Sequence, residues 1–455
     1  MPIIHKPTRT LSGVTPITIL TKPFPCPGKC SFCPTEVDMP KSYLSKEPAA
    51  ARAKASHFSP EKQINYRLQQ YFDNNHPTDK IELIILGGTW SYYPKRYQSW
   101  FIKNCFDTLN RKKSKTLKEA QRLNETAKHR IIGLTIETRP DYIFPLEVKR
   151  LRNFGVTRVE LGVQTVYEDV LKMNLRGHTL KETVKATELL KESGFKINYH
   201  VMPNLPGSTK EKDIQMFETL FQNPDFQPDM LKVYPCVLLR NTLAYKWYQQ
   251  NKYFPYTNKE LMDIGIEIKK RIPPYVRIMR FYRDIPKEYI LAGSINSNIR
   301  EMLEKEMLKK KIKCQCIRCR EIRNQNQEKD LNFRITKYEA SKGTELFLEY
   351  IDSKGNLYGF LRLRINNPKM KMAFKCLKNT AIIRELHIYG QSTPINSKGK
   401  VQHKGLGTKL LERAEEIAKK EYRLSKIAVI SGVGVREYYR KFGYTLQNTY
   451  MVKSL

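Results

Sequence analysis

Three cysteines close together are the residues best suited to chemistry in this chain of 455 residues. Cys26, Cys30 and Cys33 lie in the run P-C-P-G-K-C-S-F-C-P, with the spacing C-x-x-x-C-x-x-C. Three thiolates at this spacing can hold a 4Fe-4S cluster and leave one iron open for a small molecule. The amino and carboxylate groups of S-adenosylmethionine suit that iron, and such a cluster can split this cofactor into a radical. A zinc knuckle or a disulfide is the alternative, but zinc needs a fourth protein ligand, which does not follow nearby.

The charge of the chain points to a polyanionic partner. Lys and Arg together number 81 against 45 acidic residues, which gives a net charge of +36. Nucleic acid is the expected partner, because each neutralised phosphate releases counterions. The 26 tyrosines favour folded or single-stranded RNA, on whose bases aromatic rings stack. The alternative is a lysine-rich compositional bias that produces only a solvated cationic surface.

Cysteine usage and hydropathy indicate the compartment. Nine cysteines form an odd number without the spacing of a disulfide framework, which indicates a reducing environment. Cys105, Cys236 and Cys376 stand alone in apolar surroundings and are expected to be core residues. The first residues lack an apolar signal-peptide core, and no apolar run approaches the length of a membrane span. We therefore expect a cytoplasmic protein without a membrane segment.

Short apolar runs alternate with amphipathic helical patterns up to about residue 275. Six β–α units of this kind predict a parallel sheet with right-handed crossovers. They are too few to close an eight-stranded barrel, so we predict an α/β chain that opens with a partial (β/α)6 barrel over residues 1–275. The predicted strands are Thr15–Thr21, Ile81–Leu86, Ile131–Glu137, Val156–Val163, Ile197–Met202 and Met230–Tyr234. The predicted helices include Glu61–Phe72, Tyr97–Leu109, Leu180–Glu192, Lys210–Phe221 and Lys259–Lys270.

Polar residues and glycines follow several of these strands, where the chemistry of such sheets gathers. The run L-G-G-T-W brings a glycine pair that lets backbone approach a ligand closely, although an ordinary turn would use the same residues. Glu137 suits a ribose or an amino group, or else pairs with Arg139. The residues that we predict to contact S-adenosylmethionine are Gly87, Gly88, Thr89, Glu137, Gln164 and His200. Lys232 and Tyr234 follow in the sixth strand.

A second cysteine group lies in the segment 276–330, which we predict to be a linker. Cys314, Cys316 and Cys319 have the spacing C-x-C-x-x-C, and a C-x-C pair is common in zinc sites. We predict a structural zinc here, with a second iron–sulfur cluster or free thiols as alternatives. The fourth ligand is left open between a distant His, a Cys and a water.

The last part of the chain, residues 331–455, changes character. A predicted hairpin, Thr344–Ile351 with Leu357–Ile365, is followed by a strand at Thr380–Tyr389 and another at Ile427–Ser431. Between the last two comes Q-H-K-G-L-G-T, and then an amphipathic helix. A Q-x-x-G-x-G turn at a helix start offers backbone N–H groups to a pyrophosphate. We predict the coenzyme A cradle of a GNAT-type α+β domain, with a plain helix cap as the alternative.

Many runs of this sequence resemble one family. They include F-P-C-P-G-K-C-S-F-C-P-T, I-E-T-R-P-D-Y, R-V-E-L-G-V-Q-T-V-Y-E-D-V, R-G-H-T and L-K-V-Y-P, and later R-E-L-H-I-Y-G and Y-Y-R-K-F-G-Y. In type and order they resemble the catalytic subunit of Elongator, a radical S-adenosylmethionine enzyme fused to an acetyltransferase-type domain. The resemblance covers almost the whole chain and includes the zinc-binding linker.

The resemblance implies further site residues. Lys232 and Tyr234 would be catalytic and orient the acetyl group or the base. The residues implied to bind acetyl-CoA are Lys80, Glu385, Leu386, His387, Ile388, Gln402, Gly405, Leu406, Gly407, Thr408, Tyr438 and Tyr439. Structural roles are the alternative for several of them: a core histidine at His387, a packing ring at Tyr438 and a surface charge at Lys80.

The resemblance also implies a reaction. A radical formed from S-adenosylmethionine would remove hydrogen from the acetyl group of acetyl-CoA. The resulting carbon radical would add to carbon five of the wobble uridine in a tRNA anticodon loop. Loss of an electron and thioester hydrolysis would then leave a carboxymethyl group. Accessory subunits or a homo-oligomer are possible partners. Family members carry a longer basic segment before the first strand, so we expect the remaining basic surface or a separate protein to grip the tRNA here.

Two other functions remain open at this point. One is a protein lysine acetyltransferase whose iron–sulfur cluster is structural. The other is an inactive RNA-binding scaffold.

Overall fold

The computed structural model describes residues 10, 13–296, 298–323, 330–369, 372–390 and 405–455. No helix among these residues has both the length and the apolar character to cross a bilayer. Most strands belong to two seven-stranded sheets.

The first sheet is parallel throughout and is referred to, with its helices, as the barrel. Its strands are β1 (Thr15–Leu20), β2 (Lys80–Leu86), β3 (Arg130–Thr138), β4 (Arg158–Gln164), β5 (Lys196–Val201), β6 (Met230–Val233) and β8 (Arg277–Arg280), hydrogen-bonded in that order. A short antiparallel pair, β7 (Leu238–Leu239) with β9 (Ile290–Ala292), lies beside it. Its helices are α1 (Pro48–Ala55), α2 (Pro60–Asp73), α3 (Lys95–Asn110), α4 (Leu117–Asn124), α5 (Pro145–Asn153), α6 (Glu168–Met173), α7 (Leu180–Glu192), α8 (Lys210–Gln222), α9 (Leu243–Gln249), α10 (Asn258–Arg271), α11 (Ile299–Lys309) and α12 (Ile317–Arg320).

The partial parallel barrel predicted from the sequence is confirmed. All six predicted strands are present with small differences at their ends, and the five predicted helices are α2, α3, α7, α8 and α10. The seventh strand, β8, was missed because its sequence R-I-M-R begins and ends with arginine and shows no apolar run. It lies just beyond residue 275, so the sheet continues into the segment that we assigned to the linker.

Local sequence explains why α7 begins where predicted. Thr179 caps the helix: its hydroxyl accepts a hydrogen bond from the Glu182 N–H, while the Glu182 carboxylate accepts one from the Thr179 N–H at 2.7 Å. This capping box satisfies two N–H groups that would otherwise lack partners at the helix start.

The C-terminal domain consists of the second sheet and the helices packed on it. Its elements are β10 (Asn332–Ala340), β11 (Gly343–Ile351), β12 (Leu357–Ile365), β13 (Ala381–Ile388), α13 (Leu406–Lys420), β14 (Lys426–Val429), α14 (Arg436–Arg440), β15 (Thr445–Gln447) and β16 (Tyr450–Ser454). The strand order is β10-β11-β12-β13-β14-β16-β15, with β13 and β14 parallel and the other pairs antiparallel. The predicted hairpin is β11–β12. The predicted helix is α13, which buries Leu410, Leu411, Ala414, Ile417 and Ala418.

The C-terminal domain packs against the amino ends of the barrel strands. Arg384 of β13 donates to the carbonyl of Phe195, just before β5, at 2.7 Å, and to both carboxylate oxygens of Asp229, just before β6. A side chain on Gly432 would collide with the Ile132 carbonyl of β3, since its Cβ would lie only 2.0 Å away. The cysteine loop after β1 is therefore at the opposite end of the barrel from the C-terminal domain.

This contact predicts a strong dependence of stability on Arg384. Replacing one partner of a buried ion pair leaves an uncompensated charge, so Arg384→Met should lower the free energy of unfolding by about 3 to 5 kcal/mol. Thermal and urea unfolding measure the effect. Arg413→Met, which removes a mostly exposed guanidinium from α13, is the matched control and should change stability by less than about 1 kcal/mol. Equal effects of the two substitutions would contradict the prediction.

Candidate active site

The three cysteines of the first motif lie together after β1. Burial and the neighbouring Cys30 thiol raise the pKa of Cys33 to about 11, and Cys26 is close enough to raise it further. The Cys26 Sγ lies 3.7 Å from the Thr89 hydroxyl, and the Cys30 Sγ accepts a hydrogen bond from Arg176 Nη1 at 3.5 Å. The loop thus brings the thiols of Cys26 and Cys30 next to Thr89 and Arg176, and their role as cluster ligands stays a prediction.

The predicted glycine pair follows β2 next to this loop. Gly87 and Gly88 have φ values of +137° and +94°, which side chains rarely adopt. A Cβ on Gly87 would lie 1.9 Å from the Thr21 hydroxyl oxygen, so the chain cannot turn here with a larger residue. The turn places Thr89 beside the cysteine loop.

Gln164 ends β4 in a strained conformation. Its φ is +71°, a left-handed value in a residue other than glycine, and the pairing of β4 with β5 shifts register at this point. The side-chain Oε1 is buried and has no partner in the described part of the chain. Strain and an unsatisfied acceptor at one residue are typical of functional sites.

A chain of ionisable side chains crosses the carboxyl-terminal half of the barrel. Tyr43 donates to Glu137 at 2.5 Å, and His200 Nδ1 lies 3.5 Å from the same carboxylate. The other ring nitrogen of His200 lies 2.8 Å from the Glu160 carboxylate, which also accepts from Lys232. Glu137, His200 and Lys232 were predicted; Tyr43 and Glu160 were not.

Glu160 is the centre of this chain of contacts. Burial alone would raise the pKa of its carboxyl, but Lys232 and then His200 hold it well below the usual value. Burial in turn lowers the pKa of Lys232, while Glu160 and Tyr234 raise it above the ordinary value. A fully charged, buried lysine–glutamate pair therefore lies in the barrel interior. The Tyr234 ring stands edge-on to the His200 ring, with centroids 5.7 Å apart.

The predicted acetyl-CoA residues lie where β13 and β14 separate. Pairing between the two strands ends at Ile383 and Val429, whereas β13 continues to Ile388. The last four residues of β13, Glu385, Leu386, His387 and Ile388, are only partly buried. The strand therefore continues beyond its pairing with β14.

The start of α13 faces the same place. Gly405 precedes the helix with φ +84°, no side chain caps the first turn, and a Cβ on Gly405 would meet nothing within 4 Å. The Tyr438 hydroxyl would lie 3.0 Å from a Cβ on Gly407, and Tyr439 is buried behind it. Such a first turn offers N–H groups to an anion. Gln402, the first residue of the predicted turn motif, lies outside the described residues.

One cavity of about 1400 Å³ joins the two groups of residues. At one end it is lined by Glu137, Gln164, His200, Lys232 and Tyr234, and at the other by Lys80, Glu385–Ile388, Gly405–Thr408, Tyr438 and Tyr439. Phe32 and Pro34, on either side of Cys33, also line it, so the cysteine loop borders the cavity. Lys80 begins β2 at the far end, where burial lowers its pKa.

The three cysteines of the second group lie close together. The Sγ atoms of Cys314, Cys316 and Cys319 all lie within 4.8 Å of one another. No fourth Cys, His, Asp or Glu ligand atom joins them among the described residues. The segment is tied to the barrel, because the Ile317 N–H donates to the Val276 carbonyl at 3.0 Å. Three converging thiols can hold a metal ion.

Family models match most of the chain. The Radical SAM superfamily model matches residues 25–220, and the Radical_SAM C-terminal domain model matches residues 228–309. The Acetyltransferase (GNAT) family model matches residues 317–444. The fold and the site thus define a radical SAM enzyme whose partial barrel is followed by a GNAT domain.

Relatives that match almost the whole chain identify the family within this class. A protein named tRNA uridine(34) acetyltransferase from Methanocaldococcus jannaschii is 46% identical to this chain over 473 residues, which cover 100% of this chain and 87% of the relative. A protein of the same name from Dehalococcoides mccartyi is 45% identical over 458 residues, which cover 99% of this chain and 100% of the relative. Human Elongator complex protein 3 is 38% identical over 473 residues, covering 99% and 86%. The solved structure of an archaeal Elp3 from Methanocaldococcus infernus superposes with a TM-score of 0.86 at 40% identity, covering 98% of this chain and 100% of that one. This chain belongs to the family of tRNA uridine(34) acetyltransferases and Elongator complex protein 3.

The buried pair at the centre of the site predicts a specific pattern of stability. Glu160→Gln should leave the Lys232 charge uncompensated and lower the free energy of unfolding by about 3 to 5 kcal/mol. The double variant Glu160→Gln/Lys232→Met removes both charges and should recover most of that loss. Chemical denaturation of the single and double variants measures the coupling. Additive losses would contradict the assignment.

Proposed function

We propose that this chain modifies the wobble uridine of tRNA, at position 34, by adding a carboxymethyl unit derived from acetyl-CoA to carbon five. The observation that carries the proposal is the continuous cavity between the cysteine loop and the end of β13. The relatives' name supplies the tRNA uridine, and the net charge of +36 suits a polyanionic substrate.

We infer that Cys26, Cys30 and Cys33 hold a 4Fe-4S cluster. The inference is supported by the Radical SAM superfamily match over residues 25–220, by the influence of the Cys30 and Cys26 thiols on the pKa of Cys33, and by the unsatisfied Gln164 acceptor in the same cavity. The residues that would surround S-adenosylmethionine are Gly87, Gly88, Thr89, Glu137, Gln164 and His200. When bound, the cluster and S-adenosylmethionine supply a carbon radical able to remove hydrogen from an acetyl methyl group.

The chain's own residues would then orient and protect the reactants. Lys232, held charged by Glu160, can donate hydrogen bonds to the acetyl carbonyl or to a uridine carbonyl. Tyr234, whose pKa burial raises, stays protonated and can donate as well. A radical reaction also requires that bulk water be kept away from the reacting atoms, which a site between two domains favours. A flipped-out base can be delivered to such an enclosed site.

The acetyl-CoA residues would serve at the other end. The N–H groups of Leu406, Gly407 and Thr408 would bind the pyrophosphate, and the end of β13, which lines the cavity, would lie beside the coenzyme's thioester arm. Lys80 and Tyr438 line this end, where the thioester would pass into the barrel.

The alternative of a protein lysine acetyltransferase is not favoured. Such an enzyme needs the end of β13 open to a peptide. Here the barrel covers it, because Lys196 of β5 places its Nζ 3.4 Å from the Glu385 carboxylate. Arg362 of β12 binds the same carboxylate from within the C-terminal domain. The thioester is thereby directed into the barrel rather than outward.

Loss of the cluster should abolish the reaction. Cys30→Ala, reconstituted without oxygen, should lose iron, form no 5′-deoxyadenosine and leave wobble uridine unmodified when S-adenosylmethionine, acetyl-CoA and tRNA are supplied. Iron analysis and mass spectrometry measure these quantities. Cys105→Ala, which removes a thiol buried in the core, is the control and should retain all three. Acetylation of lysine peptides that persists in Cys30→Ala would instead support the acetyltransferase alternative.

We propose that Cys314, Cys316 and Cys319 hold a structural zinc ion that fastens the segment after β8 to the barrel. Cys316→Ser should release about one equivalent of zinc and lower the thermal midpoint, while iron bound at the first cysteine motif is retained. Elemental analysis distinguishes the two metals. Cys376→Ser, at a buried cysteine of the C-terminal domain, is the control and should keep the zinc. Loss of additional iron from Cys316→Ser would indicate a second iron–sulfur cluster instead.

Accessory subunits, self-association and a cytoplasmic location stay predictions. The same holds for the division of the chain at residues 275 and 330.

A further inference from the structure

The interior of the barrel is itself part of the cavity. Alternate residues of β2, namely Lys80, Glu82, Ile84 and Leu86, line it from the first residue of the strand to the last. Six residue steps along a strand span about 20 Å. The lumen therefore connects the C-terminal domain with the cysteine end of the barrel, and any ligand that reaches from one to the other must pass through it.

Arg158 lies near the end of this lumen that faces the C-terminal domain. It is the first residue of β4 and is level with Lys196 of β5, whose Nζ lies 3.4 Å from Glu385. Glu160, two residues further along β4, binds Lys232 and His200. Arg158 thus stands between the proposed acetyl-CoA strand and the catalytic side chains.

The Arg158 guanidinium is only partly used by the protein. It is 3% exposed and lines the cavity. Its Nη1 donates to the Glu82 carboxylate across the lumen and lies 4.0 Å from the Met230 sulfur. Its Nε and Nη2 are buried without an acceptor in the described part of the chain. A buried donor without a partner destabilises the protein, so an acceptor that enters the lumen would find these two N–H groups available.

The charges around Arg158 indicate what kind of acceptor this is. Glu82 pairs with Arg158 and Glu160 pairs with Lys232, so each of these two ion pairs is neutral by itself. An anionic ligand would face two carboxylates at close range. A neutral carbonyl oxygen, by contrast, accepts from a guanidinium without disturbing either ion pair.

We propose that Arg158 binds a carbonyl oxygen of the thioester arm of acetyl-CoA inside the barrel. The arm is a narrow chain with amide and thioester carbonyls, and on the function proposed above it must run from β13 to the cysteine end. Arg158 holds it on that course through Nε and Nη2, while Glu82 holds the guanidinium in place. Arg158 is accordingly a binding residue for the acyl donor.

Calorimetric titration of the full chain tests this without any need for cluster chemistry. Two ligands are compared: acetyl-CoA, and 3′-phospho-ADP, which has the nucleotide but no arm. Arg158→Met should weaken acetyl-CoA binding by roughly tenfold or more, since a hydrogen bond to a charged group is worth about 1.5 to 3 kcal/mol. Binding of 3′-phospho-ADP should not change. Arg96→Met, at an exposed position of α3, removes the same charge and should alter neither affinity.

Variants of Glu82 separate ligand binding from a purely structural role. Glu82→Gln keeps the Arg158 donors and, in the Gln side-chain oxygen, an acceptor for Nη1, so acetyl-CoA affinity should fall much less than in Arg158→Met. The double variant Glu82→Gln/Arg158→Met leaves no unpaired carboxylate in the lumen, so it should fold and show the same arm-specific loss. Equal loss of acetyl-CoA affinity in Glu82→Gln and Arg158→Met would overturn the inference. So would unchanged acetyl-CoA binding in Arg158→Met, or wild-type affinities that do not depend on the arm.

The binding measurement can be interpreted independently of the proposed reaction. If the wild-type chain left wobble uridine unmodified yet Arg158→Met lost arm-dependent affinity, the binding inference would hold and the reaction would be wrong. If the reaction occurred and Arg158→Met bound acetyl-CoA normally, the inference alone would fail.

Discussion

Arg384 is fully buried where the two sheets meet, and the arrangement of the active site follows from what it binds. Its guanidinium contacts Asp229 of the barrel and Glu345 of the C-terminal domain, and Lys191 lies 3.6 Å from Asp229. Burial alone would raise the pKa of Asp229, but Arg384 and then Lys191 hold it far below its usual value. The network stays charged although water is excluded.

Such a network contributes more to specificity than to net stability, because desolvation offsets much of the attraction between the charges. Its geometry admits few alternatives. Asp229 also accepts a hydrogen bond from the Ile197 N–H at 2.9 Å, which connects the interface to the start of β5. Arg152 of α5 adds a second fixed point by donating to the Thr449 carbonyl at 2.6 Å. Rotation or translation of the C-terminal domain would leave these buried charges without partners. The interface therefore sets where the end of β13 meets the barrel.

Much of the fold could be predicted from sequence, because local patterns determine it. The six predicted strands of the barrel are mainly apolar runs. The helix α7 begins with a capping box, and α13 buries one apolar face. The cysteine loop and the glycine turn were found for the same reason, since spacing within a few residues decides their chemistry. β8 was missed because packing against β6, rather than its own composition, makes it a strand.

The interior residues of the site were harder to find. Glu160 and Arg158 lie within R-V-E-L-G-V-Q, where alternation puts them on one face with Gln164. That pattern was a usable signal, but charged residues facing inward make sense only if the barrel interior is polar. The docking of the C-terminal domain at the amino ends of the strands had no local signal at all, because it depends on residues far apart, such as Arg384 and Phe195.

Together these features explain why charged side chains fill a barrel that could have been packed with aliphatic ones. A barrel of parallel strands normally closes its interior with branched apolar residues. Here Glu82, Arg158, Glu160 and Lys232 form two ion pairs along the lumen, and each pair keeps its charges compensated in the absence of a ligand. The part of the cavity around these pairs is therefore lined by charged side chains that already have partners, rather than by an apolar core. Compensated charges thus allow polar side chains to face the cavity that lies between the cysteine loop and the C-terminal domain.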